Sequence, residues 1–118
     1  MICSKKCSFD AAHFLPNYEG KCRNMHGHHW KVEVAVEGEV DKETGIVVDF
    51  ILLKRLLQEK VIDRFDHKLI NDTIENPTAE NIASYIKNEF EFITWLDNIR
   101  LAYIRVWETE NSMVELKG

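Results

Sequence analysis

Five histidines occur in 118 residues, and four of them, His13, His26, His28 and His29, lie in the first quarter of the chain. The densest signal is His26-Gly27-His28. Side chains on a strand alternate between its faces, so there His26 and His28 point one way and His29 the other. Gly27 leaves room for a close approach, and a third imidazole from a neighbouring strand, for which His13 in Ala11-Ala12-His13-Phe14 is the candidate, brings three neutral nitrogens to one point. Three protein ligands with a fourth position open is the pattern of catalytic zinc, whereas structural sites take four ligands and favour cysteine. Imidazole also suits copper and nickel. Cys22 precedes His26 by four residues and is flanked by Lys21 and Arg23. It is either a fourth ligand that closes the site or a nucleophile or base, since a thiolate near cations and a metal is reactive.

Two more places could take part. In Asp66-His67 a carboxylate adjoins an imidazole, which can orient it as an acid–base partner for a thiol, although such dipeptides are also common on surfaces. Glu108 follows Trp107 near the end of an apolar strand, where an unpaired carboxylate is costly. It needs a partner, which is a ligand unless the side chain turns to solvent.

The elements that must position these groups follow from periodicity. Ile2 to His13 reads as a strand, and Leu15 to Met25, with Pro16, Asn17, Gly20 and Asn24, as a loop. From His28 to Val40, Trp30, Val32, Val34 and Val36 share one parity while Lys31, Glu33 and Glu37 share the other, which predicts a strand with one solvated face. Asp49 caps a helix whose Leu52, Leu53, Leu56, Leu57, Val61 and Phe65 form one stripe over four turns, and Asp66-His67 ends it. A loop begins at Asn71-Asp72. Pro77-Thr78-Ala79-Glu80 opens a second helix with Ile82, Ala83, Ile86, Phe90 and Ile93 inward. Arg100 to Thr109 and Ser112 to Lys117 are the last strands. The order β-β-α-α-β-β predicts an α+β fold. Two helices cover only one face of a four-stranded sheet, and the last long strand is apolar on both parities, so a second copy of the chain is expected on the other face.

Composition bounds the function. One domain, residues 1–118, fits the length. A net charge of -5 argues against a general nucleic-acid binder, which needs a basic surface. No apolar run approaches the roughly 20 residues of a membrane span. The start, Met-Ile-Cys-Ser-Lys-Lys-Cys, has no apolar segment behind its lysines and predicts a cytoplasmic protein. Three cysteines fit that compartment; Cys3 and Cys7, about 13 Å apart along a strand, are too far apart for a disulfide.

Phe9-Asp-Ala-Ala-His13-Phe-Leu-Pro, Cys22-x-x-x-His26-Gly-His28, Gly45-Ile-Val-Val-Asp49-Phe, Phe65-Asp66-His67, Asn76-Pro-Thr-Ala-Glu80-Asn81 and Trp107-Glu108-Thr109 together resemble the 6-pyruvoyltetrahydropterin synthase family, in order and over nearly the whole chain. The resemblance implies the tunnelling fold, a four-stranded antiparallel sheet with two helices on one face. Three such sheets close into an oligomeric barrel, and two trimers stack into a homohexamer. It implies zinc on His13, His26 and His28. Cys22 matches the proton-abstracting residue, with His67 and Asp66 as its relay. Glu108 matches the carboxylate that anchors the pterin, beside Thr78, Ala79 and Glu80 in a site between subunits. The three residues between Cys22 and His26 match the bacterial 6-carboxytetrahydropterin synthase branch, of the queuosine pathway; animal pyruvoyl enzymes carry a longer insert, and a hydroxymethylpterin-forming branch has glutamate for the cysteine. His29 departs from the family, where a non-histidine polar residue is expected. The reaction implied converts 7,8-dihydroneopterin triphosphate to 6-carboxytetrahydropterin, acetaldehyde and triphosphate. The alternatives are a pyruvoyltetrahydropterin synthase with the same residues and a non-catalytic zinc-binding module with Cys22 as fourth ligand.

Overall fold

The computed structural model describes residues 1–96 and 98–118. Four antiparallel strands, β1 (Ile2–His13), β2 (His26–Gly38), β3 (Ile99–Thr109) and β4 (Ser112–Lys117), form one sheet in sequence order. Two helices, α1 (Phe50–Leu57) and α2 (Ala79–Phe90), bury their apolar stripes against one face of it. The α+β architecture read from periodicity is the one observed.

Register decides which residues share that face. β1 and β2 pair Cys7 with Val32, Phe9 with Trp30, Ala11 with His28 and His13 with His26. Phe9, Trp30, Val32, Val34 and Val36, with Ile104 and Val106 of β3, are buried beneath Leu53, Leu57, Ile82, Ile86 and Phe90. The three candidate ligands thus sit at the end of the same face that carries the core. Caps fix the helix starts: Asp49 accepts from the Ile51 N–H at 2.8 Å and Thr78 from the Asn81 N–H at 3.1 Å.

Three details differ from the sequence-based expectation. β2 begins at His26 and ends at Gly38, so both candidate ligand histidines lie inside the strand. The first helix is not uniform: α1 runs into a π-helical turn, Gln58–Ile62, before a last turn at Asp63–Phe65. Leu53, Leu57, Val61 and Phe65 recur every four residues, and at 3.6 residues per turn that stripe would drift by about 120° over three steps. The wider turn absorbs the drift and keeps all four buried. Third, the face away from the helices is not simply solvated. Glu33 is only 5% exposed there. It accepts from Ser4 Oγ at 2.7 Å and Arg105 Nη1 at 3.1 Å, and Arg105 lies over the Tyr103 ring and also donates to Glu115 at 2.8 Å. The network draws on all four strands, and a buried carboxylate that accepts from Ser4 and Arg105 is a satisfied one.

Candidate metal centre and the adjoining cleft

His13 ends β1 and His26 and His28 begin β2, so cross-strand pairing stacks three rings at one end of the sheet, over Trp30. Their ligand atoms all lie within 4.8 Å of one another. Hydrogen bonds fix two tautomers. His13 Nδ1 meets the Pro77 carbonyl at 2.8 Å and His26 Nδ1 the Asn24 carbonyl at 2.7 Å. Carbonyls only accept, so both Nδ1 atoms carry a proton, and in the neutral rings that bind metal both Nε2 atoms present lone pairs. Those two Nε2 atoms face each other at 3.1 Å. His28 Nε2 is buried with no hydrogen-bond partner.

Two lone pairs pointed at each other repel unless a cation lies between them. Nitrogens bound to one tetrahedral zinc at about 2.0–2.1 Å are separated by about 3.3 Å, close to the spacing found. Burial holds the pKa of His13 and of His28 below the ordinary 6.5, which favours the neutral, ligating form. The residues fit a metal bound by three imidazoles, each of the first two oriented by a backbone carbonyl.

Glu108 lies beside the triad. Its Oε1 is 3.8 Å from His28 Nε2 and its Oε2 3.9 Å from His13 Nε2. The ladder between β3 and β4 is irregular between Trp107 and Thr109, which leaves Glu108 as the extra residue of a bulge and turns it toward the histidines. On its other side Glu108 lines a cleft of about 190 Å³ with Ala79, Glu80, Ser112, Met113 and Val114. Size does not single out this place; a hollow of about 690 Å³ between the end of α2 and β3 offers no histidine or cysteine. The convergence of donors does.

The family model described as 6-pyruvoyl tetrahydropterin synthase matches residues 2–118. The chain belongs to that family. It is 33% identical to the 6-carboxy-5,6,7,8-tetrahydropterin synthase of Rickettsia typhi across 97% of this chain and 98% of the relative. It is 37% identical to the dihydroneopterin monophosphate aldolase of Pyrococcus furiosus across 95% and 93%. Its fold is similar to that of Caenorhabditis elegans 6-pyruvoyl tetrahydropterin synthase, with TM-score 0.86 and 28% identity, covering 100% of this chain and 95% of that one.

Cys22, Asp66 and His67 stand outside the triad, although His67 and His28 line one shallow hollow of about 540 Å³. Cys22 sits half-buried in a short 3₁₀ turn, Lys21–Arg23, held by the Leu15 N–H donating to its carbonyl at 2.8 Å. Its thiol stays outside the group of convergent ligand atoms. Asp66 and His67 leave the first helix and cross the outer edge of β1, where Lys68 accepts from the Ala12 N–H. Asp66 Oδ2 and His67 Nδ1 are 3.0 Å apart, and the imidazole is 80% exposed. No hydrogen bond or ion pair joins Cys22 to Asp66, His67 or the triad among the described residues.

Sequence reasoning missed Asp10. Its backbone N–H donates to Asp66 Oδ1 at 3.0 Å, and its carbonyl accepts from the His67 N–H at 2.7 Å. This grip holds His67 in the left-handed region, φ 58°, and is the main cause of the lowered pKa of Asp66, with His67 second. His29, on the opposite face as parity requires, meets the Asp10 carboxylate at 2.8 Å. The orienting carbonyls of Pro77 and Asn24 were also missed, since a backbone acceptor has no side-chain signature. Cys7, in the strand, is a half-buried thiol whose pKa desolvation pushes up to about 12, away from the reactive thiolate form.

Proposed function

We propose that this chain is a zinc-dependent 6-carboxy-5,6,7,8-tetrahydropterin synthase, a lyase that converts 7,8-dihydroneopterin triphosphate and one water to its product with release of acetaldehyde and triphosphate. The observation that carries the reading is the pair of opposed Nε2 lone pairs at 3.1 Å beside the unpartnered Nε2 of His28, with Glu108 bordering both triad and cleft. The three-residue spacing from Cys22 to His26 and the similarity to the Rickettsia typhi enzyme support the carboxy product.

His13, His26 and His28 would hold a zinc ion, which when bound would supply a Lewis acid for the hydroxylated side chain of the substrate. Cys22, between Lys21 and Arg23, acts as the base that removes a side-chain proton. Glu108 accepts two hydrogen bonds from the amino group and ring N–H of the pterin, a charge-assisted grip that fixes the ring. Thr78, Ala79 and Glu80 form the adjoining wall. His67, oriented by Asp66, relays the proton. The exposure of His67 at the edge of β1 supports a site completed by a neighbouring copy, in a homohexamer of stacked trimers. The substrate is a small molecule, with no role for nucleic acid or membrane, and the setting is the cytoplasmic queuosine pathway.

One observation favours a second reading within the family: the Pyrococcus furiosus relative is named an aldolase, so one scaffold carries more than one cleavage. Mass spectrometry of the products from 7,8-dihydroneopterin triphosphate separates them. 6-Carboxytetrahydropterin with acetaldehyde is expected; a pyruvoyl or hydroxymethyl pterin would overturn the carboxy assignment.

A further inference from the structure

Glu108 has two possible partners and one carboxylate. Its oxygens divide between two of the triad's nitrogens, Oε2 toward His13 Nε2 at 3.9 Å and Oε1 toward His28 Nε2 at 3.8 Å. The His13 nitrogen presents a lone pair, because the proton of that ring is committed to the Pro77 carbonyl. An acceptor facing an acceptor gains nothing without a cation. At 3.8 Å, a proton on His28 Nε2 would be too far away for a hydrogen bond. Oxygen and nitrogen atoms on one tetrahedral metal are separated by about 3.4 Å, so the carboxylate stands about half an ångström outside coordinating distance. It has room to cover that gap: its side chain is 31% exposed and projects from a bulge, where no ladder partner on β4 holds it. The cleft with Ala79, Glu80, Ser112 and Val114 opens on its far side.

We propose that Glu108 is a displaceable fourth ligand. In the substrate-free protein one carboxylate oxygen occupies the metal's open position. When a hydroxylated pterin arrives, a substrate oxygen replaces that bond, and the freed carboxylate turns into the cleft to accept from the ring. No electron changes hands; one metal–oxygen bond is exchanged for another. The same side chain then couples the two events, so the metal is open only when the ring is gripped. This rests on the metal and pterin reading above and adds a ligand exchange to it.

Cobalt(II) in place of zinc gives the test, because its visible d–d bands report the ligand set independently of turnover. The wild type, Glu108→Gln and Glu108→Ala are loaded with cobalt, checked for folding by circular dichroism, and measured with and without neopterin. The expected result is a four-coordinate spectrum in the substrate-free wild type and a shifted, weaker one in both variants. Metal affinity without pterin should also fall by about 10-fold or more in the variants. With saturating neopterin the spectra should converge. Superimposable substrate-free spectra would overturn the ligand exchange and leave the triad intact. Failure of the wild type to take up cobalt or zinc at all would overturn both it and the metal reading.

Discussion

His28 gives the sharpest test of the metal centre, because its Nε2 is both a proposed ligand and a polar atom without a partner. Its side chain is 20% exposed, at the rim of the core. In metal-free protein, His28→Ala therefore loses part of a ring's packing but also removes a buried acceptor, whose desolvation costs about 1–3 kcal/mol. The two nearly cancel, and the metal-free variant should unfold within about 1 kcal/mol of the wild type. The metal-loaded forms should differ far more. Loss of one imidazole of three should weaken zinc by about 10²-fold, or about 2.7 kcal/mol. At free zinc of about 1,000 times the wild-type Kd, binding adds about 4.1 kcal/mol to the wild type but only about 1.4 kcal/mol to the variant. For a chain of this length 1 kcal/mol moves Tm by about 4 °C, so zinc should raise Tm by about 16 °C in the wild type and about 6 °C in the variant. Thermal unfolding with chelator or with zinc, alongside metal analysis, reads both arms. Full zinc content in the variant, or a metal-free variant destabilised by several kcal/mol, would refute the reasoning.

Cys22→Ala should keep its zinc and its stability while turnover falls by a factor of about 10²; zinc lost with the thiol would mean that Cys22 is a ligand. In the metal-free protein, His13 and His28 have folded pKa values below 6.5, so between those values and 6.5 the unfolded chain binds more protons. Their contribution is complete above pH 6.5 and is lost as the pH falls from there toward the folded values; equal urea midpoints at pH 7.5 and 5.5 would contradict this. Glu33→Ala removes the shared acceptor of Ser4, Tyr103 and Arg105, while Arg105 keeps Glu115. A loss of about 2–3 kcal/mol in denaturant unfolding is expected, and a change below about 0.5 kcal/mol would show the network to be idle.

What the sequence disclosed about this site depended on how local each relation was. Strand alternation sorts His26 and His28 from His29 because the rule spans two residues, and the structure keeps that sorting: His28 faces the core and His29 faces Asp10 on the other side. The same rule misjudged Glu33. Parity put it in solvent, but its burial comes from Ser4, 29 residues away, and Arg105, 72 residues away, and no window on the sequence contains those partners. His13 was identifiable as the third candidate ligand only because an apolar setting suggested a strand, and the register that delivers it, His13 opposite His26, emerges from pairing across the whole of β1. Cys22 and Asp66-His67 show the opposite limit. Each carries a chemical signature, yet they sit on a turn after β1 and on a segment crossing the outer edge of β1, with no hydrogen bond or ion pair between them among the described residues. Residue types alone do not disclose that separation. It is a property of one chain's topology: Asp66 and His67 are tied to β1 through Asp10, and the backbone carbonyl of Cys22 is tied to the Leu15 N–H. The proposed relay joins them by bringing the edge of β1 in one copy, where His67 is exposed, to the turn that carries Cys22 in another. On the proposed mechanism, disrupting the oligomer should therefore abolish turnover, whereas metal uptake, whose three candidate ligands His13, His26 and His28 all lie in one chain, should survive in an isolated protomer.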